Sequence, residues 1–464
     1  MATTIPEQYQ FIPGKAYPVR DADGIEDYLT TALQAERYIS HYQIDTPDGT
    51  YWSTHPDTPI DLTYYSGVAG LSLFYQKLFV VTGEQRFDRI AKQGFDFVAK
   101  HWQEAINTKT MTHDTSALPS YQLGGAAGIG GIGESLLSAY HTYGNVVYAD
   151  AAKDIGHFYE RHAHQDENGL SWTGSIAISF DGGALLFLLA LYETFPEQWL
   201  HDLIVNAGNW YLSQGHRTSE GYLRFNGLDG RFDFELPNFG YGSAGAGFVL
   251  LKLFDTLHED RYLAAAKDVA RYLDSIKLHQ THGYLIPYRI GLNEEPFFYL
   301  GNCHGPAGTA RFFYHLYQAT TDVQYLSFIN GLVDGFEALG APEHESKGLW
   351  NSVCLCCGHA GILHFFISLY LAHPDERWKQ LSRRTARILL GYAEHNDDGS
   401  ADWPEAWERT KSDELSRRIG YSDGAAGIAT SLLELYTLEK GTYDWPRFID
   451  DPFPSHLSAE SQEG

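Results

Sequence analysis

At 464 residues with 44% hydrophobic content, the chain has room for two or three ordinary domains and enough apolar side chains for a large core. Its 33 Lys+Arg against 59 Asp+Glu give a net charge of −26, which argues against nucleic acid or an anionic membrane surface as the main partner. No apolar run reaches membrane length, and Met1 to Tyr17 has neither a basic start nor an apolar stretch, so neither membrane insertion nor a signal peptide is expected.

Residues 1–24 form a Pro-containing N-terminal arm. Beyond it, amphipathic stretches at 25–43, 84–105, 197–214, 260–275 and 375–394 predict helices with one face in solvent. Between them run segments that are apolar on most sides, such as LSLFYQKLF, LLFLLALY, AGFVLLKLF and ILHFFISLY, and these predict buried helices. Short extended pieces precede the buried helices: GTYW at 49–52, GLSW at 169–172, GYLRF at 221–225, GYLIPY at 283–288 and GLWNS at 348–352. Residues 441–464 form a C-terminal tail, and its end, SAESQEG, is expected to be disordered.

A repeat organises these pieces. Seven G-x-x-G-type units place a second glycine at Gly70, Gly131, Gly183, Gly245, Gly308, Gly361 and Gly427, with spacings of 61, 52, 62, 63, 53 and 66 residues. Nine residues after each stands an aromatic, Phe79, Tyr140, Tyr192, Phe254, Tyr317, Tyr370 or Tyr436, which is read as core. The glycines are read as fold residues that let the backbone turn tightly into the buried helix. One repeat is therefore an outer helix, an extended piece, a glycine loop and an inner helix. Seven such hairpins over residues 25–440 predict a single all-α domain, an α/α toroid with inner and outer helix rings. An open superhelix of stacked pairs is the alternative.

All four cysteines lie in two of these loops, N-C-H-G-P-A-G at 302–308 and C-L-C-C-G-H-A-G at 354–361. Cysteines scattered for packing would not gather at matching points of consecutive repeats. Cys303, Cys356 and Cys357 are therefore read as a metal site, with zinc the preferred ion. Cys354 is off register and is read as a buried spare thiol, with a chelate through Cys354 and Cys356 as the alternative. Crowded free thiols suit a reducing, cytoplasmic setting rather than a disulfide framework. Three protein ligands leave a fourth position open, the pattern of a catalytic rather than a structural zinc.

These units, SGVAG, GIGG, DGG, YGSAG, CHGPAG, CCGHAG and DGAAG, resemble those of the lanthionine synthetase C-like family over roughly residues 25–440. The resemblance implies an α/α toroid with zinc at the cavity mouth, and addition of a cysteine thiol to dehydroalanine or dehydrobutyrine to form a thioether in a peptide. In the family, unit five typically reads W-C-Y-G and unit six C-H-G, so two Cys and one His hold the ion. Here Cys303 matches the first cysteine, and Cys356 and Cys357 match the Cys-His pair. Two positions depart from the pattern. The family's histidine before the first glycine of unit four is Tyr241, and its aspartate in unit three maps to Ile176, where Phe180 stands for the first glycine.

A conjugate addition needs a base for the thiol proton and an acid for the enolate. His304, Tyr241 and His359 are the candidates, with Asp181 and Asp423 beside glycines of units three and seven. Each histidine, His364 included, could equally pack in the cavity wall, and each aspartate could cap a helix. The expected partners are a dehydrated precursor peptide or another dehydroamino-acid substrate, together with a separate dehydratase. Three other functions compete: addition of a small thiol such as glutathione, a non-catalytic zinc-stabilised peptide-binding scaffold, and a glycosidase built on Asp181 and Asp423.

Overall fold

A computed structural model describes residues 14–54, 58–106 and 121–457. Every apolar segment named above becomes an inner helix, because a helix without a polar face is stable only when surrounded. The inner helices are α2 (Val68–Thr82), α4 (Ile129–Tyr143), α6 (Asp181–Thr194), α8 (Ser243–Leu257), α10 (Pro306–Thr320), α12 (His359–Ala372) and α14 (Ala425–Glu439). The outer helices are α1 (Glu26–Ser40), α3 (Gln85–His101), α5 (Val146–His162), α7 (Gln198–Ser213), α9 (Asp260–Ile276), α11 (Gln324–Ala338) and α13 (Glu376–Tyr392). Each inner helix from α2 to α12 packs on the outer helix that follows it, whereas α14 packs on α1 at the far end of the chain. Neighbouring inner helices touch all the way round, and α14 also meets α2. The ring is closed, as the repeat predicts. No helix among the described residues is long and apolar enough to cross a membrane.

One apolar core fills the space between the two rings. The second glycine of every unit is the third residue of its inner helix. Space, rather than backbone freedom, explains it. A Cβ on Gly308 would sit 1.9 Å from the Asn302 carbonyl oxygen, and one on Gly427 1.8 Å from that of Tyr421. The loop thus curls back against the helix it introduces. The preceding glycine adopts an ordinary extended conformation, for example φ −121° at Gly305 and −116° at Gly358, so the expected tight-turn role is corrected to close approach.

The recurring aromatics also differ from expectation. Only Tyr436 is fully buried; the other six are half-buried, at the last turns of their helices. There the carbonyls of Phe79, Tyr140, Phe254 and Tyr317 accept the N–H of a left-handed capping residue.

Two-stranded antiparallel hairpins follow several outer helices: β1–β2 (Gln43–Thr46, Gly49–Trp52), β3–β4 (His164–Gln165, Leu170–Ser171), β5–β6 (His216–Arg217, Leu223–Arg224), β7–β8 (Leu278–His279, Tyr284–Leu285) and β9–β10 (Glu394–His395, Ala401–Asp402). An additional hairpin, β11–β12 (Pro404–Ala406, Leu415–Arg417), occupies the longest spacing of the repeat. GLWNS forms no strand pair: Trp350 Nε1 donates to the Ala406 carbonyl at 2.9 Å, and the Asn351 carbonyl accepts from Ala406 N at 2.7 Å. That segment is tied to β11 instead.

Both chain ends pack on the ring. Tyr17 donates its hydroxyl to the carbonyls of Leu349 and Trp350, each at 2.8 Å. At the other end, Arg447 pairs with Asp451 at 2.6 Å, Asp451 accepts from His364 at 2.9 Å, and His364 also contacts Glu434 at 2.7 Å. The segment around Trp445 and Phe448 therefore lines the central cavity from below. SAESQEG lies outside the described residues.

Candidate metal centre

The residue two before the first glycine of each unit is Tyr65, Ala126, Ile178, Gly240, Cys303, Cys356 or Ser422. Backbone hydrogen bonds join these positions from loop to loop: Tyr65 N to Ala126 O at 3.0 Å, Ser422 N to Tyr65 O at 2.7 Å, Cys356 N to Ser422 O at 2.9 Å, Cys303 N to Cys356 O at 3.2 Å and Gly240 N to Cys303 O at 2.7 Å. They form an annulus at the N-terminal ends of the inner helices. All seven positions line a central cavity of about 240 Å³. On the other side, Tyr65, Ala126, Ile178, Cys303 and Cys356 also line an outer cleft of about 510 Å³.

Cys303, Cys356 and Cys357 converge in this annulus, all sulfurs within 4.8 Å of one another. Cys357 Sγ is 3.6 Å from Cys303 Sγ and 3.6 Å from Cys356 Sγ. Sulfurs held at about 2.3 Å by a tetrahedral zinc would lie about 3.8 Å apart, so the donor set and its spacing fit such an ion. All three are half-buried. Hydrogen bonds from Cys303, then Cys357 and Tyr65, hold the Cys356 thiol well below the ordinary range. The same Cys356 partner pushes the Cys303 thiol up, and Cys303 in turn pushes up Cys357. Cys354 is fully buried outside the trio, with its sulfur 3.4 Å from Ser352 Oγ.

His304 and Tyr241 stand beside the cysteines in the cleft wall. Their rings are parallel, with centroids 5.4 Å apart and an interplanar angle of 11°. Tyr288 and Tyr299 close on His304 edge-on, at 5.1 and 5.7 Å. Burial lowers the His304 pKa to about 4, and its Nδ1 has no hydrogen-bond partner among the described residues. Tyr241 shares a 2.5 Å hydrogen bond with the Tyr121 hydroxyl, and burial keeps its phenol protonated far above the ordinary range.

His359 does not join them, which corrects the sequence expectation. It is the first residue of α12 and fully buried, with Nε2 3.0 Å from the Pro342 carbonyl oxygen and its ring against Tyr17 at 4.5 Å. Ile176 is buried too, its carbonyl accepting from the Tyr211 hydroxyl at 2.6 Å. The two carboxylates nominated for glycoside hydrolysis anchor loops instead. Asp181 accepts from Trp172 N, Thr173 N and Gly174 N at 3.1, 2.7 and 3.1 Å. Asp423 accepts from Ser66 Oγ at 2.8 Å and Arg418 at 3.1 Å.

Sequence reasoning missed the β11–β12 hairpin. Glu405 on β11 is buried and accepts from the backbone N–H groups of Val353 and Cys354, both at 2.9 Å, which fixes the approach to the Cys356–Cys357 loop. Trp407 and Arg409 from the same hairpin form one wall of the cleft. The only sequence signal was the spacing of 66 residues between Gly361 and Gly427.

A family model described as lanthionine synthetase C-like protein matches residues 58–449. Among solved structures, nisin cyclase is similar at a TM-score of 0.58 and 14% identity, over 89% of this chain and 93% of its own. A sugar epimerase from a ruminal bacterium is similar at 0.46 and 11%, over 90% and 99%. An unsaturated glucuronyl hydrolase specific for heparin is similar at 0.45 and 13%, over 89% and 98%. No curated protein sequence matches the chain.

Proposed function

The chain belongs to the lanthionine synthetase C-like family, and from that premise we propose that it adds a cysteine thiol to dehydroalanine or dehydrobutyrine residues of a peptide, forming a thioether. The observation that carries this reading is the trio of sulfurs in the wall of an open cleft, all within 4.8 Å of one another and with Cys357 3.6 Å from each of the other two. Cys303, Cys356 and Cys357 would hold a zinc ion. That ion supplies Lewis-acid chemistry, keeping a substrate thiol deprotonated at neutral pH.

The chain's own residues supply the proton handling. His304 lines the cleft beside the cysteines with its Nδ1 unpartnered among the described residues, which places its imidazole to accept the thiol proton. The substrate sulfur attacks the β-carbon and the double-bond electrons move to the α-carbon. Tyr241, protonated and backed by Tyr121, donates the proton that completes the addition. Net, S–H adds across the carbon–carbon double bond. The histidine and tyrosine of the family pattern are exchanged between units four and five here, and the two rings lie parallel beside the cysteines. The dehydroamino acid must come from a reaction that removes water from serine or threonine, which we assign to a separate dehydratase. Thiols kept free this close together suit a reducing compartment, the cytoplasm.

The test mixes the protein with a dehydrated, cysteine-containing peptide and follows free thiol with and without a zinc chelator. Thiol loss that the chelator abolishes is the expected result. Equal loss in both arms, or none in either, refutes the reading.

A further inference from the structure

The chain has four cysteines, and the trio leaves Cys354 outside the ligand set. Cys354 is fully buried, whereas Cys357 is half-buried and lines the outer cleft. The two residues bound Cys354-Leu355-Cys356-Cys357, a C-x-x-C pair whose second member is a ligand position. Gly358 N donates to the Cys354 carbonyl at 3.0 Å and closes the turn between them. A turn of this α-type sets its first and fourth Cα atoms about 5 Å apart, inside the range of about 4.4–6.8 Å that a disulfide spans. The Cys354 sulfur accepts the Cys357 backbone N–H and hydrogen-bonds with the Cys357 thiol. Glu405 holds the start of the turn through Val353 N and Cys354 N, both at 2.9 Å.

One thiol of the pair is reachable from the cleft and the other is sealed beneath it. That asymmetry suits an attacked cysteine and a resolving one, because exchange needs access only at the sulfur that meets the oxidant. With a metal held, Cys303 and Cys356 are engaged as ligands, so Cys354 is the one thiol of the chain free to react with Cys357. A cysteine kept only to fill space would need no thiol beside it.

We propose that Cys354 and Cys357 are a redox-modification site: a low-molecular-weight disulfide oxidises the pair to an intramolecular bridge, which withdraws Cys357 from the metal and halts thiol addition. The Cys357 thiolate attacks one sulfur of the small disulfide, whose S–S bond breaks, and one small thiolate leaves. Cys354 then gives its proton to solvent and attacks the Cys357 sulfur of the mixed disulfide. The second small thiolate departs and takes up a proton. Net, the two protein sulfurs lose two electrons and become one disulfide, while the small disulfide is reduced to two thiols. Cys303 and Cys356 alone are one ligand short of the three-ligand site. A thiol reductant reverses each step. The inference rests on the proposed function for the metal and for what the bridge controls, and stands apart from it for the pair itself.

The probe is 2-hydroxyethyl disulfide, which is uncharged and so indifferent to the net charge of −26. Zinc-loaded protein is titrated with it at a fixed 2-mercaptoethanol concentration of about 0.1 mM. Released zinc is read with a chromophoric chelator, remaining thiols are alkylated, and the peptides are mapped by mass spectrometry. The expected product carries a Cys354–Cys357 bridge, has lost its zinc, and regains zinc binding after reduction. Closure between neighbouring residues has an effective concentration of millimolar or more. Against about 0.1 mM thiol, wild type should therefore release zinc at about tenfold less disulfide than Cys354→Ser, which can form only the mixed disulfide. Thioether formation should stop with the bridge and resume on reduction. A bridge between another pair (Cys303 and Cys357, 3.6 Å apart, are the alternative), arrest at the mixed disulfide, or equal thresholds in the two proteins overturns the proposal. So does a bridged protein that still holds zinc. Near-ultraviolet circular dichroism checks folding, and should Cys354→Ser fail that check the bridge mapped in wild type decides. A Cys354–Cys357 bridge in a protein that never forms a thioether refutes the proposed function and leaves the redox pair standing.

Discussion

Replacing Gly308 with alanine tests whether the glycine loop is pressed against its helix for lack of a Cβ. The added carbon would lie 1.9 Å from the Asn302 carbonyl oxygen and 2.8 Å from Phe239 Cβ. Carbon and oxygen normally come no closer than about 3.3 Å, so the backbone at 302 or the first turn of α10 must move by more than about 1 Å. A carbonyl cannot swing aside like a side chain. The cost should reach the upper end of overpacking, about 3 kcal/mol, and appear as a melting temperature several degrees lower in the presence of a chelator. Cys303 is the next residue, 3.6 Å from Cys357, and metal–ligand distances tolerate only about 0.2 Å. Zinc affinity, measured by competition with a chromophoric chelator, should therefore fall about 10- to 100-fold, the range seen when support of a ligand is lost. Gly131→Ala is the internal comparison: its new Cβ would meet nothing nearer than 2.9 Å. It should cost about 1 kcal/mol and leave zinc affinity unchanged. If Gly308→Ala melts and binds zinc like the wild type, the close-approach reasoning is wrong.

Cys354→Ser should keep one zinc per chain by elemental analysis, whereas Cys357→Ala should lose it; the reverse result would move the site to the off-register thiol. His304→Gln should slow thioether formation by about 10²- to 10⁴-fold with zinc retained. His359→Gln should instead lower thermal stability, through loss of its bond to Pro342, and leave the rate per folded molecule intact. Acid and base should both loosen the C-terminal segment. Burial raises the Glu434 carboxyl, but His364 outweighs it and brings the pKa to about 2. Its stabilisation is thus present above the ordinary value of 4.5 and lost as pH falls toward 2. Burial lowers the His364 pKa, but Glu434 and Asp451 outweigh it and raise it above 6.5, so its share is complete below 6.5 and lost as pH rises through the folded value. Protection of residues 444–453 against hydrogen exchange, taken relative to the intrinsic rate at each pH, should be greatest between these limits, and a flat protection profile refutes the coupling.

The period, the closed ring and the cysteine trio were legible because each depends on register, which the sequence carries directly. His304 and His359 show where that stops. Each flanks the unit's first glycine, but His304 precedes it in the loop while His359 follows it as the first residue of the helix. The seal over His359 is set by Tyr17, more than 300 residues away in sequence, and no local pattern encodes that contact. Glu405 and Arg409 were missed for a different reason: they lie in an irregular hairpin with neither period two nor 3.6, and only its length was visible. The sequence shows residues 441–464 as a Pro-rich tail but not what anchors it, because the partners of Arg447 and Asp451, His364 and Glu434, come from two inner helices.

The annulus explains why this pair of loops can hold a metal at all. Backbone hydrogen bonds of 2.7–3.2 Å fix the position two before the glycine in one unit against the same position in the next, so cysteines there must be neighbours although 53 residues separate Cys303 from Cys356. A third ligand can come only from an adjoining position that points to the same side, and Cys357, one before the glycine, supplies it. The position one before the glycine faces the outer cleft in unit after unit, at Ala127, Ser179, Tyr241, His304 and Cys357, so Cys357 shares its register with His304 and Tyr241, whereas Cys303 and Cys356 stand one residue earlier. Unit three breaks the pattern. Phe180 replaces its glycine, and among the described residues no loop-to-loop backbone bond reaches Ile178. Rings fill the gap: Tyr121 packs on Phe180 at 4.8 Å and Phe180 on Tyr241 at 5.9 Å. Phe180 thus packs against both Tyr121 and Tyr241, whose hydroxyls share the 2.5 Å hydrogen bond beside His304, and the missing glycine of unit three is the place where that aromatic ring stands.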